Sequence, residues 1–232
     1  MIYAIIKEVL YFRGKGVLTM DNCKSCADCG VINCHTMAGE YPEYCVSVNM
    51  KPEQYEEAMK CYDDPETHNL AIAAGEVEYE GFGKLTRVEE TIIFARKMGA
   101  KKLGIANCAA LIKEANTLAR ILRIHGFEVF GITCKAGTTP KTAIGLYEDC
   151  EKTGRNVCNP ALQAKILNDE KTDLNIVLGL CVGHDSIFYK YAEAPCTTMI
   201  VKDKVLVHNP AAALYSTGFF YKRLLKNNED LK

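Results

Sequence analysis

The feature that most narrows the possible folds is a series of short apolar runs alternating with helical pattern. Residues 101–106, 127–132 and 174–180 are each the length of one buried strand. The first two bracket 109–124, which reads as a long helix closed by His125 and Gly126. A strand, a helix of that length and another strand make a βαβ unit, and such a crossover implies parallel neighbours. Further helices are expected over 52–62, 63–78, 86–98, 159–168 and 184–192, with one more after Asn209-Pro210. Proline is well tolerated in a first helical turn, and Asp or Asn before it caps the helix. Residues 46–49 read as a short extended piece, 135–157 as an ordered loop with some short helix, and 197–201 and 205–207 as strands around a turn. The predicted fold class is α/β, an open, mainly parallel, Rossmann-like or flavodoxin-like sheet with flanking helices. A small cysteine-rich metal-binding module precedes it. Three segments follow: an N-terminal extension at 1–19, non-native or frayed, with Met20 as an alternative start; a metal knuckle at 20–50; and the α/β domain at 51–232 with a helical lead-in.

Apolar residues make up 48% of the 232, enough for a real core. A net charge of −1 without long basic runs argues against nucleic acid and anionic membranes as partners. Lys7 and Glu8 interrupt the mildly apolar start before it can serve as a signal-peptide core, and no run reaches membrane-spanning length. A cytoplasmic location is therefore expected, where thiols stay reduced. Twelve cysteines in such a compartment point to metal ligation rather than disulfides.

Five of those cysteines, Cys23, Cys26, Cys29, Cys34 and Cys45, crowd into residues 21–45. Thiolates are soft ligands, and two separated by two residues can grip one ion or cluster. The spacing Cys26-x2-Cys29-x4-Cys34, with Cys45 later, suits tetrahedral zinc. Counted from Cys23, the run comes close to a bacterial iron–sulfur pattern but is one residue longer before its last cysteine and lacks the proline after it. His35 offers an alternative zinc ligand.

A second group is dispersed. Cys108, Cys134 and Cys181 each follow a strand run, and Cys158 lies just before the capped helix at Asn159-Pro160. In an open parallel sheet the carboxyl ends of the strands line one crevice, where ligands bind at the point of strand-order reversal. Helix N-termini open onto that edge and favour thiolate. The alternative is packing, because free cysteine is a small hydrophobe often found buried. Sulfurs spread over several strand ends suit an iron–sulfur cluster (a 4Fe-4S cube) better than one zinc ion. Cys61 reads as core, Cys150 as unassigned, and Cys196 as a fifth thiol near the crevice.

His184 and Asp185, directly after Cys181-Val182-Gly183, are the catalytic candidates: a ligand or proton donor, and the residue that orients it. The plain reading is that Asp185 caps the next helix. Lys135 either offsets cluster charge or is solvated. His208, His68, His125 and Glu114 read as structural or surface residues, and no phosphate-loop or dinucleotide fingerprint occurs.

Several motifs resemble a family of uncharacterised prokaryotic proteins labelled as metal-binding and carrying a domain of unknown function. They are Cys26-Ala27-Asp28-Cys29 with Cys34, Tyr41-Pro42 leading to Cys45, Gly104-Ile105-Ala106-Asn107-Cys108, and Cys134-Lys135. They continue through Cys158-Asn159-Pro160 with Gln163-Ala164, Thr172-Asp173-Leu174-Asn175-Ile176 and Gly179-Leu180-Cys181-Val182-Gly183-His184-Asp185. Ala194-Pro195, Thr197-Thr198 and His208-Asn209-Pro210 complete the set. The resemblance implies metal binding by Cys26, Cys29, Cys34, Cys45, Cys108, Cys134, Cys158 and Cys181, and no particular reaction. The expectation is an iron–sulfur protein in electron transfer or small-molecule redox chemistry, meeting a redox partner or small molecule. The alternative is a zinc-binding structural, interaction or metal-delivery protein without catalysis, with zinc above all at the N-terminal knuckle.

Overall fold

The computed structural model describes residues 24–31, 34–36 and 38–227. The extension at 1–19, the alternative start at Met20 and the thiol of Cys23 fall outside the described residues. The chain divides into two compact units, one up to Pro65 and the other from Glu66.

In the first unit, a single 3-10 turn, Cys26–Asp28, is held by a reciprocal cap. Ser25 Oγ accepts from Ala27 N–H at 3.2 Å, and Asp28 Oδ2 accepts from Ser25 N–H at 2.9 Å. Two helices follow, α1 (Val46–Asn49) and α2 (Pro52–Lys60). The expected extended piece at 46–49 is thus one helical turn. Asn49 N–H donates to Cys45 O at 3.0 Å, and Asn49 Nδ2 donates to Glu43 O and Cys45 O at 2.6 and 2.9 Å. Local bonding by one asparagine outweighs the β-branched alternation of Val46-Ser47-Val48. Cys61, expected in a core, is exposed.

The second unit opens with α3 (Pro65–Gly81), whose first residue is the last of the first unit, and α4 (Arg87–Lys97). It then alternates: β1 (Lys102–Asn107), α5 (Ile112–Ile124), β2 (Glu128–Thr133), α6 (Pro160–Asp169), β3 (Leu174–Leu178), α7 (His184–Tyr191), β4 (Cys196–Ile200) and a short α8 (Ala211–Tyr215). The sheet order is β2-β1-β3-β4, and every pairing is parallel. The α/β class with an open parallel sheet is as the sequence implied.

Residue pattern explains the layers. β1 from Leu103 on and all of β3 are buried, because parallel strands carry helices on both faces. Leu103, Ile105, Leu174, Ile176 and Leu178 face one core, shared with Ile92 and Ala95 of α4 and with Ala115, Leu118 and Leu122 of α5. The latter recur at three- and four-residue intervals, one stripe of a helix. Ala106 and Val177 face the other core, with Ala164 and Leu167 of α6 and Phe188 of α7. Gly104 lies on that second face. A Cβ there would sit 2.1 Å from Asn175 Oδ1 and 3.0 Å from Leu167 Cδ1, so only glycine lets α6 come this close.

The strand expected at 205–207 is a turn. The Asp203 carboxylate accepts N–H bonds from Val205 at 2.8 Å and Leu206 at 2.7 Å, and Val207 and His208 take positive φ. An aspartate that satisfies the backbone locally leaves nothing for a ladder. On β4, Arg87 Nε donates to Thr198 O at 2.7 Å, a bond from α4 to the sheet edge. Among the described residues no helix is long and apolar enough to cross a membrane.

Candidate functional site

Reversal of strand order falls between β1 and β3, since β1 runs to β2 on one side and β3 on the other. The chain leaves β1 at Cys108, β2 at Cys134 and β3 through Gly179 and Leu180 to Cys181. Cys134 N–H donates to Asn107 O at 2.9 Å and Cys108 N–H to Leu178 O at 3.1 Å, so the ladder holds both cysteines at the rim. Gly179 has φ +67°, and a Cβ on it would lie 2.2 Å from Leu111 Cδ1. That glycine turns the chain to bring Cys181 over the edge. Cys158 arrives on the N-terminal side of α6. Asn159 N–H donates to Cys134 O at 2.8 Å, while Asn159 Oδ1 caps the helix by accepting from Leu162 N–H at 2.9 Å.

Cys108 and Cys134 share a side-chain hydrogen bond, and Cys158 and Cys181 lie within electrostatic reach of the pair. The hydrogen bond from Cys134 lowers Cys108 to about 5 against the cost of burial, helped by Ala110 N–H and the Lys202 ammonium. Cys134, whose sulfur accepts from Ala109 N–H at 3.4 Å, is pushed the other way by its bond to Cys108 and by burial. Burial and the neighbouring Cys108 raise Cys181, offset by Lys204 and Lys202.

His184 opens α7, and its N–H donates to Cys181 O at 2.9 Å. Burial and the Lys135 charge lower its pKa, and Asp185 opposes them. The helix-capping role expected of Asp185 belongs to position 183, where Gly183 has φ 82°. Asp185 sits inside the first turn and accepts from Ser186 N–H at 2.8 Å. Lys135 Nζ donates to Asn156 O at 2.5 Å, across the neck of the 135–157 loop.

Two contributions were not read from the sequence as parts of the site. Lys202 and Lys204 read as turn residues, yet they place positive charge beside Cys108, Cys181 and His184. Gln163 on α6 is fully buried, and its Nε2 donates to Ile132 O at 2.7 Å and Asn107 O at 3.2 Å. One side chain thus ties together the ends of β1 and β2. Cys196, considered a fifth rim thiol, pairs in register with Asn175 at the opposite end of β3. Burial pushes its thiol up to about 11, partly offset by the Asn175 amide.

The N-terminal cysteines form a looser set. Cys26 and Cys34 are exposed, Cys29 half-buried and Cys45 buried. Val31 N–H donates to Cys29 Sγ at 3.4 Å, and Tyr44 hydroxyl donates to Asp28 O at 3.0 Å, which ties the 3-10 turn to the segment before Cys45. Cys34 and Cys45 both lie near the Tyr41 hydroxyl; with burial as the larger cause, they raise its pKa. His35 is exposed. Among the described residues, no three His, Cys, Asp or Glu side chains are gathered tightly enough to hold one metal ion.

Residues 45–199 match a family model described as protein of unknown function (DUF1847), a span that includes Cys45, Cys108, Cys134, Cys158 and Cys181. An uncharacterized protein of Methanocaldococcus jannaschii is 44% identical over 165 residues, covering 71% of this chain and 84% of that relative. These two similarities place the chain in the DUF1847 family.

Proposed function

We propose that the rim of the sheet is a metal–thiolate centre, with Cys108, Cys134, Cys158 and Cys181 as ligands and an iron–sulfur cluster as the group held. The observation that carries this reading is the meeting of four sequence-distant thiols at the point of strand-order reversal, with lysines beside them. Soft donors suit iron–sulfur or zinc. A tetrahedral zinc ion with Zn–S near 2.3 Å needs its sulfurs about 3.8 Å apart. A cluster spans a wider set of sulfurs than one zinc ion does, which suits thiols drawn from three strand ends and a helix start. A bound cluster would supply one-electron transfer. The chain's own part is positional: Gln163 fixes two strand ends, Ala109 and Ala110 N–H groups face the sulfurs, and Lys202 and Lys204 balance negative charge. Electron transfer or a redox step on a small molecule is the function this arrangement supports best.

The first unit favours zinc, held by Cys26, Cys29, Cys34 and Cys45. Its specific support is the Val31 N–H bond to Cys29 Sγ at 3.4 Å, a backbone donor directed at a sulfur of the C-x-x-C turn.

Purification without oxygen, followed by a visible spectrum and assays for iron, acid-labile sulfide and zinc, tests both. A brown protein with iron and sulfide is expected, carrying zinc in addition. A colourless protein with zinc alone, or without metal, would overturn the rim proposal.

A further inference from the structure

The rim contains a pair of thiols in a relation that metal binding does not require. Asn107 and Thr133 are register partners in the parallel ladder, and the ladder continues one step through the bond from Cys134 N–H to Asn107 O. Cys108 and Cys134 are therefore the next residues on adjacent strands. Neighbouring strands lie about 4.8 Å apart, inside the Cα separation of about 4.4–6.8 Å that a disulfide spans. Both side chains pack in the one core that also holds Ala106, Ala164 and Leu180. Gln163, bonded to the carbonyls of Asn107 and Ile132, holds the two backbones at this spacing.

We propose that Cys108 and Cys134 form a redox-active dithiol that exchanges with low-molecular-weight disulfides. Accessibility sets the order. Cys134 is 3% exposed, whereas Cys108 is only half-buried. Cys108 Sγ attacks one sulfur of the small disulfide. Its S–S bond breaks, a mixed disulfide forms on Cys108, and the first small thiol leaves with the proton that Cys108 gave up. Cys134 Sγ then attacks Cys108 Sγ, the mixed disulfide breaks, and the second small thiol leaves with the proton of Cys134. The protein loses two hydrogens and two electrons, and the small disulfide gains both. Closure needs no large backbone movement and can occur whether or not a metal ever binds at the rim.

The test uses the full chain, stripped of metal by a chelator under reducing conditions and then treated with oxidised glutathione. Peptide mapping without reductant should show residues 108 and 134 in one cross-linked peptide pair, with Cys158 and Cys181 still open to alkylation. In Cys134→Ser, the glutathione adduct should accumulate on Cys108. Cross-linking of other rim cysteines in preference, both thiols left free, or an adduct on Cys158 or Cys181 instead of Cys108 would overturn the proposal. The wild-type map needs no variant to fold, and its result does not depend on the iron and sulfide assays.

Discussion

The two cysteine sets of this molecule are built on opposite principles. Cys26, Cys29, Cys34 and Cys45 are close in sequence, range from exposed to buried and are placed by local turns. Cys108, Cys134, Cys158 and Cys181 are far apart in sequence, half-buried or buried, and placed by the parallel ladder and one helix start. The first set is a property of a short peptide, whereas the second exists only in a folded sheet. Damage to packing should therefore leave the first largely intact and disable the second.

The largest effect separates the two directly. Cys181→Ala should abolish the metal content of the rim and leave that of the first unit, while Cys26→Ala with Cys29→Ala should do the reverse. Elemental analysis per chain decides, and a single variant that empties both sets would break the comparison. Next comes Gly179→Ala, which forces a Cβ to 2.2 Å from Leu111 Cδ1 at φ +67°. A cost of about 3 kcal/mol in urea unfolding is expected, with first-unit metal unchanged.

Gln163→Leu should cost about 1–2 kcal/mol through lost hydrogen bonds. It should weaken rim metal affinity by about tenfold or more, read by chelator competition. The smallest effect concerns Glu89. Its carboxylate is held below its ordinary 4.5 by Thr86 N–H and the Thr86 hydroxyl, which fold the start of α4. A lowered folded value means the stabilisation is complete above the unfolded value and fades as pH falls through the folded one. Urea midpoints of wild type and Glu89→Gln should differ slightly near neutrality and converge in acid. Metal at either set should not respond.

Legibility followed the same division. Apolar runs announced β1, β2 and β3, and the cysteine after each run could be placed at a rim without coordinates. Asn159-Pro160 announced the start of α6 and so located Cys158. Gln163 could not be recognised as buried, because a glutamine within a helical pattern looks like a solvated face until two strand ends are seen beneath it. Lys202 and Lys204 looked like a hairpin turn, and the second strand of that hairpin does not exist. Asp203 bonds its own neighbours instead. The one-turn α1 was hidden for a similar reason, a side chain closing a local loop that alternation alone does not reveal.

Strand order also imposes a timetable. β1 lies between β2 and β3, so the rim gains its fourth sulfur only after the chain has been made past residue 181 and β3 has docked. On the proposed reading, a metal group at the rim would have to arrive after the sheet has formed, since domains fold as units when synthesis allows. Cys26 to Cys45 span so few residues that they could be charged while most of the polypeptide is still unmade. If both proposed centres are filled, one gene product would acquire them at different moments of its life, the second only as a finished fold.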